Sequence, residues 1–240
     1  MAAERTIGRV STLERVGEDL WIADGPPVFF FTFRFPTRMV VARLADGGLW
    51  LWSPIALDDR LRDDIAKLGE PRFAVEPNAL HHLPLADWVK AWPELRLWAP
   101  PGLAKKRTDL GFEGKLGDEA PAEWRDAIDQ VKIRGSFALT ELLFFHRPSR
   151  TCIVGDLIQK FDPREVSGWR GAMLKANSLV GPNGSTPREW RATFLRRDDA
   201  RASVRRALAW QPDQLVVAHG MRVTERGEDA LRHALSWLSP

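Results

Sequence analysis

Between Phe29 and Trp52 the chain offers three strand-like segments in a row and no helical period, which commits its opening to antiparallel β-structure. Phe29, Phe31, Phe33 and Phe35 alternate with Phe30, Thr32 and Arg34, the period of a half-buried strand. Met39 to Leu44 is a second strand. Asp46-Gly47-Gly48 supplies the positive-φ positions of a tight turn, and Leu49-Trp50-Leu51-Trp52 runs back until Pro54 stops it.

The rhythm then changes. Leu57 to Leu68 places Leu61, Ile65 and Leu68 on one helical face, and Gly69 ends it. A short strand at Phe73–Val75, a helix over Leu85–Trp92 closed by Pro93, and a strand at Leu95–Ala99 follow. Helices and strands in alternation describe a sheet covered by helices. Pro100 to Glu123 reads as loop. Strand patterning restarts at Val131–Arg134, Thr140–Phe145 and Thr151–Val154, and returns at Leu215–Ala218. Helices are expected at Trp169–Lys175, at Glu189–Leu195, from a cap at Asp198 or Asp199 to Trp210, and over Gly227–Leu238. Gly181-Pro182-Asn183-Gly184-Ser185 reads as a plain turn. Both halves share one grammar, strands first and helix–strand units after, within a single domain over residues 1–240.

Composition removes several classes. The single cysteine, Cys152, excludes an internal disulfide framework and any cysteine-rich zinc module, and fits a reducing compartment. Without tyrosine there is no phenolic acid or oxyanion donor. The start, Met1 to Gly8, lacks the apolar core of a signal peptide, and the longest uncharged apolar stretch, Gly25 to Phe33, is far short of the ~20 residues of a membrane helix. A cytoplasmic protein with no membrane partner is expected. A net charge of +3 is too weak to mark a binder of phosphate backbones. Arg197, Arg201 and Arg205 do share a helix face, and nucleic acid is the rival reading for it; the plainer one is a solvated face opposite Ala200, Val204 and Leu208. Neither a serine-hydrolase elbow nor a phosphate-binding loop occurs.

Of the five histidines, His81, His82, His146 and His219 lie just beyond predicted strands, as does Asp156, while His233 belongs to the outer face of the last helix. A lone histidine there is ordinarily a hydrogen-bonding loop residue. Four of five at strand ends form a pattern, since α/β sheets place their sites there. Imidazoles with a carboxylate are the ligands of a divalent ion that activates water.

The run Phe145-His146-Arg-Pro-Ser-Arg-Thr-Cys-Ile-Val-Gly-Asp156, followed late in the chain by Leu215-Val-Val-Ala-His219-Gly220 and a closing helix, resembles the second half of the metallo-β-lactamase fold. More narrowly, the chain is similar to the DUF4336 group of that superfamily. The resemblance implies a four-layer αββα sandwich of α/β class and a hydrolase acting on an ester, lactone or phosphoester. Active members carry His-x-His-x-Asp-His on the first histidine loop, where this chain has Pro77-Asn78-Ala79-Leu80-His81-His82. One register sets His82 on the last histidine and His81 on the aspartate, leaving Pro77 and Ala79 on the first two; a shifted register sets Asn78 first. Carried over, His146 would serve a first metal, Asp156 would bridge, and His82 and His219 would serve a second. With the first site stripped, the resemblance implies one ion, zinc ahead of iron or manganese. His82, Asp156 and His219 would hold it, with His146 or His81 as a fourth ligand or behind the ligands, and Asp156 and His146 as the catalytic pair. Glu76 and Glu141 are the carboxylates nearest the missing aspartate. The alternative is a non-catalytic relative that binds a small ligand or a partner on the same fold.

Overall fold

Leu49-Trp50-Leu51-Trp52 is buried at all four positions because its two faces meet two different apolar layers. Leu49 and Leu51 pack outward with Val41, Leu61 and Ala74, while Trp50 and Trp52 pack inward with Val40, Phe73 and Phe144. A strand buried on both faces needs helices on one side and a second sheet on the other.

The computed structural model describes residues 12–30, 33–181 and 184–239 and supplies both layers. The first sheet joins β1 (Glu14–Gly17), β2 (Leu20–Phe30), β3 (Phe33–Arg43), β4 (Leu49–Trp52), β5 (Pro71–Val75), β6 (Arg96–Ala99) and β7 (Phe112–Lys115) in chain order. It is antiparallel as far as β4 and parallel from β4 to β7. The parallel pairs require crossovers, which are α1 (Asp59–Leu68), α2 (Leu85–Ala91) and α3 (Leu103–Lys106). The second sheet runs β11-β10-β9-β8, with β8 (Ile128–Ile133), β9 (Glu141–His146), β10 (Thr151–Val154) and β11 (Gln214–Val217). Only β10 and β11 are parallel there, because α4 (Gly168–Ala176), α5 (Arg188–Thr193) and α6 (Arg197–Leu208) intervene. α6 and the closing α7 (Gly227–Ala234) bury Val204, Ala207 and Leu231 with Leu143, Val154 and Val217. The layers are helix, sheet, sheet, helix: the αββα sandwich. No helix among the described residues is long and apolar enough to cross a membrane.

Several local expectations change. The Phe29–Phe35 alternation belongs to two strands, since Phe30 ends β2 and pairs with Phe33 at the start of β3. Phe31 and Thr32 lie outside the described residues, as do Pro182 and Asn183 of the glycine-rich turn and the Met1–Gly8 start. β2 reaches back to Leu20 past a register shift between Gly25 and Val28, where the Pro26-Pro27 pair masks the strand. The stretch read as loop holds α3 and β7. Gly114 of β7 lies so close under Trp98 that a Cβ would come within 2.0 Å of the ring, and the missing side chain hid the strand. Asp198 and Asp199 sit in the first turn of α6, whose N-cap residue, Arg196, makes no side-chain cap bond. Asp58 is a cap, its Oδ1 accepting from Leu61 N at 2.8 Å over α1.

Arg38 of β3 ties the two sheets together. Its Nη1 donates to Val217 O (3.0 Å) of β11 and to Gly220 O (2.7 Å) just beyond that strand, and its Nε and Nη2 grip Asp24. Arg38→Met is expected to cost about 3 kcal/mol, because two carbonyls are left without a charged donor. Equilibrium urea unfolding checks this; a loss below about 1 kcal/mol would remove the tie from the account.

Candidate metal centre

β10 and β11 run side by side in the same direction, so the residues that follow them emerge together: Asp156 after β10 and His219 after β11. The segment after β5 brings Asn78 and His81 to the same end, and Ser53 follows β4. One ligand atom from each of His81, Asp156 and His219 lies within 4.8 Å of the others. His81 Nε2 is 3.1 Å from Asp156 Oδ2, and His219 Nε2 is 3.1 Å from Asp156 Oδ1.

The outer nitrogens are held as well. His219 Nδ1–H donates to Pro36 O at 2.7 Å, and His81 Nδ1 is 2.6 Å from Ser53 Oγ. Ser53 takes a left-handed backbone (φ 49°), rare for a non-glycine residue and a frequent mark of functional sites. Gly220 is required by space, because a Cβ there would meet Lys160 O at 1.9 Å. Phe35 meets the His219 ring edge-on with centroids 5.5 Å apart.

Beneath Asp156 lies Glu141, wholly buried at the start of β9. Its carboxyl accepts from the backbone N–H groups of Gly155 (3.0 Å), Asp156 (2.8 Å) and Leu157 (3.1 Å). Asn78 Nδ2 donates both to Glu141 Oε2 (3.1 Å) and to Asp156 Oδ2 (2.7 Å). Burial, then the Asp156 charge, push Glu141 up to about 8. Burial works against ionisation of Asp156 too, but His81 and His219 outweigh it and hold this carboxyl well below the usual range. His219 is raised, since Asp156 overcomes the desolvation of the ring. The side chains of His81, Asp156 and His219 are 10%, 9% and 6% exposed, so their charges interact with little screening.

Two imidazoles and a carboxylate converge with their inner atoms facing one another and their outer nitrogens anchored. That is the donor chemistry and outer bonding of a protein-held divalent metal, and these residues fit such a ligand set. His82 stands apart. Its ring and carbonyl face Arg107, whose Nη1 donates to His82 O at 2.6 Å and lies 3.2 Å from Nδ1. His146 is at the opposite end of the sheet, because β9 runs antiparallel to β10 and pairs His146 with Thr151. Glu76 is buried without a hydrogen-bond partner for either oxygen, and burial raises its carboxyl despite the Arg107 charge. Of the two carboxylates considered beside the missing aspartate, Glu141 is the one against Asp156. Asn78, placed first in the shifted register, touches Asp156 without being a histidine. Ser53 carried no signal in the sequence, since a single serine after a strand is unremarkable.

His146 has a structural place of its own. Ser149 Oγ gives its proton to Thr151 Oγ1 (2.8 Å) and so accepts from His146 Nδ1 (2.8 Å), while His146 Nε2 is buried without a partner. Burial lowers the imidazole to about 4 from 6.5. Between those values the unfolded chain takes up a proton that the folded one refuses. Stability is therefore complete above pH 6.5 and falls by about 3 kcal/mol as pH drops towards 4. Urea unfolding across pH 4–7 should show this slope flattened in His146→Leu; an unchanged slope would contradict it.

Two face-to-face sheets clad in helices, with a histidine–aspartate cluster at one end, define the metallo-β-lactamase fold, and solved structures agree. The chain is similar to DIM-1 metallo-β-lactamase exposed to ceftazidime, with TM-score 0.66, 13% identity, and 98% of this chain and 99% of that one covered. It is similar to FIM-1 from Pseudomonas aeruginosa in its mono-zinc form, with TM-score 0.64, 12% identity and coverage of 99% and 98%. A metallo-β-lactamase from Erythrobacter litoralis with β-mercaptoethanol in its active site matches at TM-score 0.64, 14% identity, and 98% of each chain. No curated protein matches. Residues 19–167 match the family model described as a domain of unknown function, DUF4336, and the chain belongs to that family.

On α6, Arg201 donates to Leu238 O and pairs with Asp198, and Arg206 pairs with Asp118. Ala200, Val204 and Leu208 are buried on the other face. Arg201 is thus engaged within the molecule, while Arg197 and Arg205 are exposed, as a solvated face requires.

Proposed function

We propose that this protein is a metal-dependent hydrolase of ester, lactone or phosphoester type, with a single divalent ion held by His81, Asp156 and His219. The convergence of those three donors, within 4.8 Å and each fixed from behind, carries the reading. FIM-1, a fold relative solved in a mono-zinc form, is a precedent for one ion on this scaffold. Zinc suits the nitrogen and oxygen donors best, with iron or manganese as alternatives.

When bound, such an ion polarises the scissile carbonyl or phosphoryl oxygen and makes water acidic enough to attack near neutral pH. The chain's residues supply the rest. Pro36 O fixes the tautomer of His219 and Ser53 Oγ holds the outer nitrogen of His81, so that each ring turns its Nε2 inward. Asn78 holds Asp156 Oδ2, and Glu141 clamps the turn that carries it. Glu141 is saturated with N–H donors and wholly buried, so it positions Asp156 rather than meeting substrate, and Asp156, held ionised between the two imidazoles, supplies the negative donor. His146, at the far end, takes no part.

The test is a panel of aryl esters, lactones and phosphodiesters, offered to chelator-stripped protein before and after zinc, manganese or ferrous iron. Hydrolysis of one class should appear with metal and drop by more than about 100-fold in His219→Ala, beyond the cost of losing an outer-shell partner. It should persist in His82→Ala. A rate indifferent to chelation, or a His219→Ala variant as active as the parent, would overturn the proposal. Bound metal with no turnover would leave a binding protein.

A further inference from the structure

The exposed apolar side chains are distributed unevenly. Eight large ones stand out among the described residues, and all belong to segments at the end of the sandwich that bears the histidine–aspartate cluster. Val28 and Phe29 (70% exposed) lie near the tip of the β2–β3 hairpin, one of whose residues, Phe35, touches His219. Leu80 and Leu83 (68%) flank His81 and His82. Trp169 (58%) and Met173 share a face of α4, between Phe161, which packs on Phe35, and Leu179, which Phe161 hydrogen-bonds. Phe137 sits in the β8–β9 turn just before Glu141, and its N–H reaches Thr193 O beside Leu195. The opposite end bears none of these eight side chains and presents ion pairs such as Arg72–Asp46, Arg147–Asp129 and Arg150–Asp213. Scattered apolar residues on a surface mean little, but their confinement to one end of the molecule means something.

Each apolar group has a cation beside it. Phe29 pairs across the hairpin with exposed Arg34. The Arg170 guanidinium lies 4.9 Å from the Trp169 ring. Lys106 reaches Ala79 O beside Leu80, and Leu195 is followed by exposed Arg196 and Arg197. From Phe161 to Arg197 the sequence holds seven arginines and lysines against three acids. The apolar tips come from loops of both sheets and from α4, not from the lining of the histidine–aspartate cluster alone. Aromatic and aliphatic tips on separate loops, each flanked by a base, are the pattern of an interfacial membrane anchor.

We propose that this end of the molecule docks on an anionic lipid bilayer, inserting the Phe29, Leu83 and Trp169 tips among headgroups that the flanking arginines and lysines neutralise. Such attachment is peripheral, needs no spanning helix, and revises the expectation of no membrane partner. It requires neither a bound ion nor hydrolytic activity, so it stands or falls apart from the proposed function.

The experiment is flotation of the full-length, tag-free protein with phosphatidylcholine vesicles, with and without phosphatidylglycerol, alongside sedimentation velocity without lipid. The protein should float with the anionic vesicles alone. Binding should weaken by about tenfold in Leu83→Ser/Trp169→Ser and stay unchanged in Arg72→Ser at the opposite end. All substituted positions are surface ones, circular dichroism confirms folding, and Phe29→Ser is a second, single-tip variant whose binding should weaken as well. Absence of flotation at low salt would overturn the proposal, as would binding unaffected by both apolar variants, which is adsorption by charge alone. A dimer that the double variant dissociates, without lipid binding, would overturn it in favour of a second copy of the chain.

Discussion

Replacing Glu141 with alanine is expected to lower the unfolding free energy by about 4 kcal/mol or more, one of the two largest effects the structure implies. The carboxyl is wholly buried and takes three consecutive backbone N–H groups, those of Gly155, Asp156 and Leu157, as well as the Asn78 amide. Alanine strands the three backbone donors where water has little access and leaves the Asn78 amide only Asp156, and each buried donor left unpaired costs about 1–3 kcal/mol. Glu141→Gln keeps one oxygen for the N–H groups and turns an amide towards the others, so a loss of about 1–2 kcal/mol is expected for it. Guanidinium unfolding of the three proteins measures the series. A loss below about 1 kcal/mol for alanine would show that Glu141 does not hold the turn bearing Asp156.

The second large effect is on ligand-linked stability in Asp156→Ala. An ion that binds only the folded chain stabilises it by about 2.7 kcal/mol at a hundredfold excess over its Kd, which for a domain of this size raises Tm by roughly 5–10 °C. Asp156 is the one carboxylate in the three-residue donor set and lies between the two imidazoles, so its removal should abolish that rise. His82→Ala should keep the rise, because His82 faces Arg107 and not the cluster. Differential scanning calorimetry with and without zinc makes the comparison. An equal zinc-induced shift in Asp156→Ala and the parent would place the ion elsewhere.

The architecture was legible because period-two runs and helix–strand alternation are set by local burial. Leu49 to Trp52 and the Leu61–Ile65 face read correctly for that reason. Segments whose pairing depends on a distant partner did not read. β7 exists because Gly114 lets Trp98 lie over it, and the first half of β2 is concealed by its proline pair. The site divides in the same way. Asp156 and His219 follow strands that prove parallel neighbours, so the strand-end argument brought them together. His146 also ends a strand but lies at the far end of the sheet, since strand direction is a tertiary property and β9 points the other way. Between His81 and His82 no spacing rule could choose. Arg107, twenty-five residues on, holds the second and leaves the first to Asp156.

Metal analysis by mass spectrometry on tag-free protein, compared across His219→Ala, Asp156→Ala and His82→Ala, tests the central claim most directly. About one equivalent of a divalent metal is expected in the parent and in His82→Ala, and none above background in the other two, because only their side chains belong to the donor set. A folded parent that carries no metal, even after incubation with zinc, would contradict the account; so would a His82→Ala variant that loses its metal while His219→Ala keeps it.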